Sequence, residues 1–272
     1  MNKITKLKAQ DTLPLTCSRN GICCYGKRVM LNPWELRCLA KEKKITTRAF
    51  RDLYCEFGGI QLWFNGKAGW RGHQCCSQYI ENFGCSVHLG RPLACRLFPL
   101  GRQIQNNEVQ YIHQGEKFPC LDGCAEVLNL PKLSVNQYLK EQQTDKFEKA
   151  QDEYLKLMQN LADIAFFMLL DSGLSESGDK TTLPLWRQMG KETPEALASR
   201  IGSEWMDSLM LPDIPDKVEN PIVFVTNLEF HQASVLMMGL ALHLARSIGA
   251  NPEILCEHWI ETAKSNGAQE LL

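Results

Sequence analysis

Cysteine dominates the chemistry open to this chain. Eleven of its 12 cysteines fall between Cys17 and Cys124, and only Cys256 lies beyond. Two blocks carry the pattern. The first is Cys17-Ser-Arg-Asn-Gly-Ile-Cys23-Cys24; the second is Cys75-Cys76, then Cys85 after a gap of eight residues and Cys95 after a gap of nine. A third pair, Cys120 and Cys124, follows Phe118-Pro119. Thiolates are soft, strong ligands for zinc, iron–sulfur clusters and copper(I), and one ion or cluster commonly takes four of them. Gly21, Gly84 and Gly123 each stand within two residues of a cysteine, where a backbone pinched around a metal needs tight turns. The vicinal pairs Cys23-Cys24 and Cys75-Cys76 add a constraint, because adjacent side chains tend to point apart. Either one member binds while the other packs, or the centre is polynuclear, which leans toward a cluster over a lone zinc.

The run Cys76, Cys85, His88, Arg91-Pro92, Cys95-Arg96 and Phe98-Pro99 resembles the signature of the YkgJ-type cysteine-cluster family. That family is named for a CxxCxxCC motif and described as a zinc- or iron-chelating domain. Cys23-Cys24 resembles the end of the motif, and Cys120 resembles the family's last cysteine. Asn20 stands where the motif places its second cysteine, so this chain reads CxxNxxCC, one thiolate short. Cys75, Cys124, His88 or a side-chain oxygen is open to make up the number. The resemblance covers about residues 17–124. One branch of the family resembles a flagellin lysine methylase, which implies protein methylation as an alternative activity.

Each of these residues also has a plainer reading. Free cysteine is a good small core residue, but Cys17, Cys23, Cys24, Cys76, Cys85, Cys95 and Cys120 at motif spacing favour metal ligation. Cys75 and Cys124 stay open between ligand and filler. Cys38, Cys55 and Cys256 fall on expected helix faces and read as core. His73 and His88 lie near cysteines, and a supporting role suits them better than ligation. His113, His231, His243 and His258 read as ordinary surface or core residues. Arg91 and Arg96 flank the central thiolates, either as surface ion-pair partners or as donors that bond sulfurs or orient the loop. Pro92 and Pro99 stiffen the segment that presents Cys95.

The elements that position these residues read as two domains, a cysteine-cluster domain over 15–130 and a helical domain over 131–272, divided where Leu130-Pro131 interrupts the pattern. The expected fold is mainly α: an irregular cysteine-rich domain with short hairpins, then an all-α half. Leu31 to Lys44 predicts a helix capped by Asn32 with Pro33 at its first position. A second helix is expected around Arg48 to Phe57, and a short hairpin over Gly58 to Gly72. Gln103 to His113 alternates weakly and suggests a strand pair turning at Asn106-Asn107. Ser134 caps a long helix expected over Val135 to Met158. Further helices are expected over Leu161–Leu170, Thr193 to Leu211, Leu228–Gly249 and Pro252–Asn266.

Charge is uneven. Residues 1–130 hold 18 Lys and Arg against 10 Asp and Glu, and the remainder holds 12 against 21. Surplus cations beside a thiolate centre offset its negative charge. They are scattered rather than clustered with aromatics, so nucleic acid is not the expected partner. The first twelve residues lack the apolar core of a signal peptide, and no run reaches the ~18 apolar residues of a membrane span. A cytoplasmic protein without a membrane partner is therefore expected. In a reducing compartment, so many cysteines point to metal rather than disulfides. There is no GxSxG, P-loop, HExxH or dinucleotide fingerprint, nor the CxxxCxxC of radical enzymes, nor any CxxC. The leading expectation is a metal-binding protein holding an iron–sulfur cluster or zinc, in a structural, electron-transfer or sensing role. The alternatives are a cluster-dependent protein-modifying enzyme such as a lysine N-methylase, and a metal-folded module that binds a protein partner.

Overall fold

The computed structural model describes residues 5–13, 21–56, 61–106, 108–113, 128–156, 211, 218–222 and 224. The chain divides into two compact units, Met1–Glu148 and Lys149–Leu272, and the described residues belong mostly to the first. Cys17, Asn20, Cys120, Gly123, Cys124, Cys256, His231, His243, His258 and the helices expected beyond Met158 lie outside the described residues.

Asn32-Pro33 starts the first long helix, α1 (Pro33–Lys43), as the sequence suggests. The Asn32 side chain accepts from the Glu35 amide at 2.9 Å, and the Glu35 carboxylate accepts from the Asn32 amide at 3.1 Å. That reciprocal pair satisfies two amides that a helix start otherwise leaves unbonded. Lys44 ends the helix in a left-handed conformation. Thr46 then caps α2 (Thr47–Tyr54), which stops earlier than expected because the chain turns extended at Cys55. β2 (Cys55–Glu56) pairs antiparallel with β3 (Gln61–Leu62). The expected hairpin over Gly58 to Gly72 is thus shifted toward the N-terminus, and Trp70–Gly72 forms a short 3-10 turn instead.

β4 (Tyr79–Ile80) and β5 (Gly84–Cys85) make a second small hairpin, followed by the five-residue α3 (Leu93–Leu97). The larger sheet follows. β6 (Leu100–Gln105) and β7 (Glu108–His113) pair antiparallel, with Gln105 opposite Glu108, forming the strand pair the sequence suggests. The N-terminal strand β1 (Thr5–Leu7) adds to β7, giving the order β1-β7-β6. Its three residues are too few to show a period, and only the partner strand makes them a strand.

α4 (Val135–Gln142) starts at Ser134, whose hydroxyl accepts from the Gln137 amide at 3.2 Å. The single helix expected over Val135 to Met158 is broken: Gln143 is left-handed, with φ of 53°, and residues 145–156 form a separate helical run. α4 docks on the sheet through Leu13, Leu100, Val135 and the fully buried Tyr138. The Tyr138 hydroxyl donates to the Phe98 carbonyl.

The mainly α expectation is overturned. The described residues are 41% helical and 23% strand, in small antiparallel sheets, and they show no all-α second domain. The strands are two to six residues long, too short for most of them to announce themselves by alternation. Long-range pairing, rather than local propensity, makes them strands.

Candidate metal centre

Backbone bridges bring the cysteine blocks together. Cys23 and Cys24 sit in a 3-10 turn (Ile22–Cys24) that opens at Gly21, whose φ is 88°. A Cβ there would run into the Tyr79 ring, so both the conformation and the space demand glycine. An antiparallel bridge then joins Tyr25 to Cys75. The Cys76 amide donates to the Cys24 carbonyl at 2.8 Å, and the Gly26 amide donates to the Gln74 carbonyl at 3.1 Å. The two vicinal pairs thereby lie side by side. β4 and β5 place Cys85 opposite Tyr79, whose ring packs edge-on against Tyr25 at 5.4 Å. α3 presents Cys95.

These three segments enclose one cavity of about 90 Å³. Cys23, Cys24, Cys76, Cys85 and Cys95 all line it, with Lys27, His88, Arg91 and Gln142. Five of the seven expected ligands therefore share one space; the other two, Cys17 and Cys120, lie outside the described residues. The vicinal pairs behave differently. The 3-10 turn puts both Cys23 and Cys24 on the cavity, whereas the second pair is divided. Cys76 faces the cavity, and the buried Cys75 packs against Gly66. Cys38 and Cys55 do not line the cavity, and His73 is exposed on the surface.

All eight cysteines of the described residues are free thiols. Burial holds most of them protonated, pushing Cys76 up to about 11 and raising Cys85 and Cys95. The pair at the turn is asymmetric. The bond between the two side chains lowers Cys23 and raises Cys24. The charges of Lys27 and Arg91 lower Cys23 further. A main-chain amide, from Gln78, points at the Cys76 sulfur at 3.5 Å.

As the side chains stand, no three His, Cys, Asp or Glu among the described residues form a group that could hold a metal ion. The donor chemistry nonetheless suits zinc or iron: soft sulfur from three segments, around one buried space, with two cations beside it. Ligation asks the thiols to close in further than they do here.

Sequence reasoning found the thiols and missed two of their neighbours. Lys27, three residues past Cys24, sits over the Phe98 ring at 3.4 Å. Gln142 comes from α4, and no local signal ties it to a cysteine. The arginines resolve in favour of orienting the loop. Arg91 donates to the His88 carbonyl at 2.8 Å and to the Gln142 side chain. Arg96 is 3% exposed and donates to main-chain carbonyls, Arg91 at 2.9 Å, Gln142 at 2.8 Å and Leu89.

Residues 16–115 match the model of the CxxCxxCC family, described as a "Putative zinc- or iron-chelating domain". The match spans 100 of the chain's 272 residues. The matched segment contains all five thiols of the cavity. No curated protein and no solved structure matches the chain. Among the described residues, no helix is long and apolar enough to cross a membrane.

Proposed function

We propose that the cavity is the metal centre of the CxxCxxCC domain, with Cys23, Cys24, Cys76, Cys85 and Cys95 as ligands and Cys17 and Cys120 completing the set. One observation carries the reading: five motif cysteines from three separate segments line a single cavity. Five thiols already exceed the four that one tetrahedral ion takes, which favours a polynuclear centre, an iron–sulfur cluster or clustered zinc. Bound there, such a centre would supply either a structural cross-link between the three segments or a redox couple. Lys27 and Arg91 would balance part of the thiolate charge.

Metal and acid-labile sulfide analysis of protein purified without oxygen tests this, together with an ultraviolet–visible spectrum. Stoichiometric iron with sulfide and broad thiolate-to-iron absorption is the expected result for a cluster, and stoichiometric zinc without colour for a zinc site. Serine at Cys76 or Cys95 should abolish stoichiometric loading, while serine at Cys38 should leave it unchanged. Wild-type protein that takes up neither metal would sink the proposal.

A further inference from the structure

The loop between two of these thiols is held by residues that lie beyond the matched domain. Between Cys85 and Cys95 the chain runs through His88, Leu89, Gly90 and Arg91 without regular structure. Arg96 gathers that loop by spreading its guanidinium over the carbonyls of Leu89, Arg91 and Gln142. Its face lies 3.9 Å from the Phe147 ring centroid. The Gln142 side-chain oxygen takes the Arg91 guanidinium from the other side, and Gln142 itself lines the cavity. From α1, the Glu35 carboxylate accepts the Leu93 amide at 2.7 Å, two residues before Cys95. Gln142 and Phe147 both follow residue 115, where the family match ends.

We infer that α4 and the turn after it are a working part of the metal centre: Gln142 closes the cavity, and Arg96 and Gln142 are positioning residues that set the Cys85–Cys95 loop for ligation. This deepens the metal-centre reading and rests on it. A planar fork with three carbonyl acceptors is something Arg provides and Lys does not. Groups that orient metal ligands without touching the metal are commonly worth 10- to 100-fold in affinity.

The test is zinc affinity of the full chain, measured by competition with a chromophoric chelator, beside the urea midpoint of the same metal-free samples. Gln142→Ala and Arg96→Lys are the variants. The control is Tyr111→Phe, which loses the 2.9 Å bond to Glu148, a residue of the same C-terminal segment, and neither Tyr111 nor Glu148 lines the cavity. Gln142→Ala and Arg96→Lys should weaken zinc binding about 10-fold or more, while Tyr111→Phe lowers the urea midpoint and leaves affinity unchanged. Wild-type affinity in Gln142→Ala, or an equal loss in Tyr111→Phe, would overturn the inference. Failure of the wild-type chain to bind zinc or iron is a separate result, and it removes the metal-centre reading along with this one.

Discussion

Cys23 and Cys24 are adjacent, yet they differ as acids. The side-chain bond between them pulls Cys23 below the ordinary thiol range and pushes Cys24 above it. Burial raises Cys76, Cys85 and Cys95 because it penalises their charge, and a bound metal would have to displace those protons. Glu35 titrates in an unusual range for the same reason. Full burial raises its carboxyl from an ordinary 4.5 to about 7, against the lowering effect of the Leu93 and Asn32 amides. Below pH 4.5 it is protonated in both folded and unfolded chains, and its favourable contribution is complete. Between 4.5 and 7 the folded state holds more protons than the unfolded one, so stability falls as pH rises. In metal-free protein, Glu35→Gln should flatten that slope, by on the order of 1–3 kcal/mol across the window. Urea unfolding at several pH values checks this, and an unchanged slope would place the Glu35 carboxyl near its ordinary value. None of these shifts was legible in the sequence, which shows a carboxylate on a helix but not that α3 lands on it.

At the scale of elements, the caps were readable and the breaks were not. Asn32-Pro33 and Ser134 mark helix starts because the capping chemistry is local, involving side chains three residues apart. Asn32 is almost fully buried and Thr46 is exposed, although both cap a helix. Asn32→Ala should therefore cost more than Thr46→Ala. We expect about 1–2 kcal/mol for the former and under about 1 kcal/mol for the latter, read from urea midpoints; equal costs would show that burial adds nothing at this cap. The break after Gln142 was not read from the sequence, and the contact made there comes from elsewhere in the chain. The Gln142 carbonyl, which a continuous helix would bond to the amide four residues on, accepts from Arg96 at 2.8 Å. Where the long helix read from the sequence breaks, an arginine 46 residues upstream takes that carbonyl.

For the whole molecule, a metal bound at the proposed centre should act as a cross-link, since the proposed ligands come from the 3-10 turn, the Cys76–Cys85 segment and α3. Anything that binds only the folded chain adds stability, by about 2.7 kcal/mol at 100 times the dissociation constant. Chelation should therefore lower the melting temperature and restored metal should recover it, seen by calorimetry across a metal titration. A melting temperature indifferent to metal would mean that the folded state gains nothing from the centre. The surplus of Lys and Arg over Asp and Glu in residues 1–130 fits a centre that carries negative charge.

By itself, the sequence settled which side chains are in play: the number and spacing of the cysteines, the glycine at position 21, the two arginines and the helix caps. These are properties of residue type and short-range spacing, and chemistry at that range does not depend on how the chain packs. Only the tertiary structure decided that both members of the first vicinal pair line the cavity and one member of the second does. It also made strands of Thr5–Leu7, Cys55–Glu56 and Gln61–Leu62, and brought Gln142 to the thiols. Those outcomes come from backbone pairing and burial between segments far apart in the chain, energies that no local window of sequence contains.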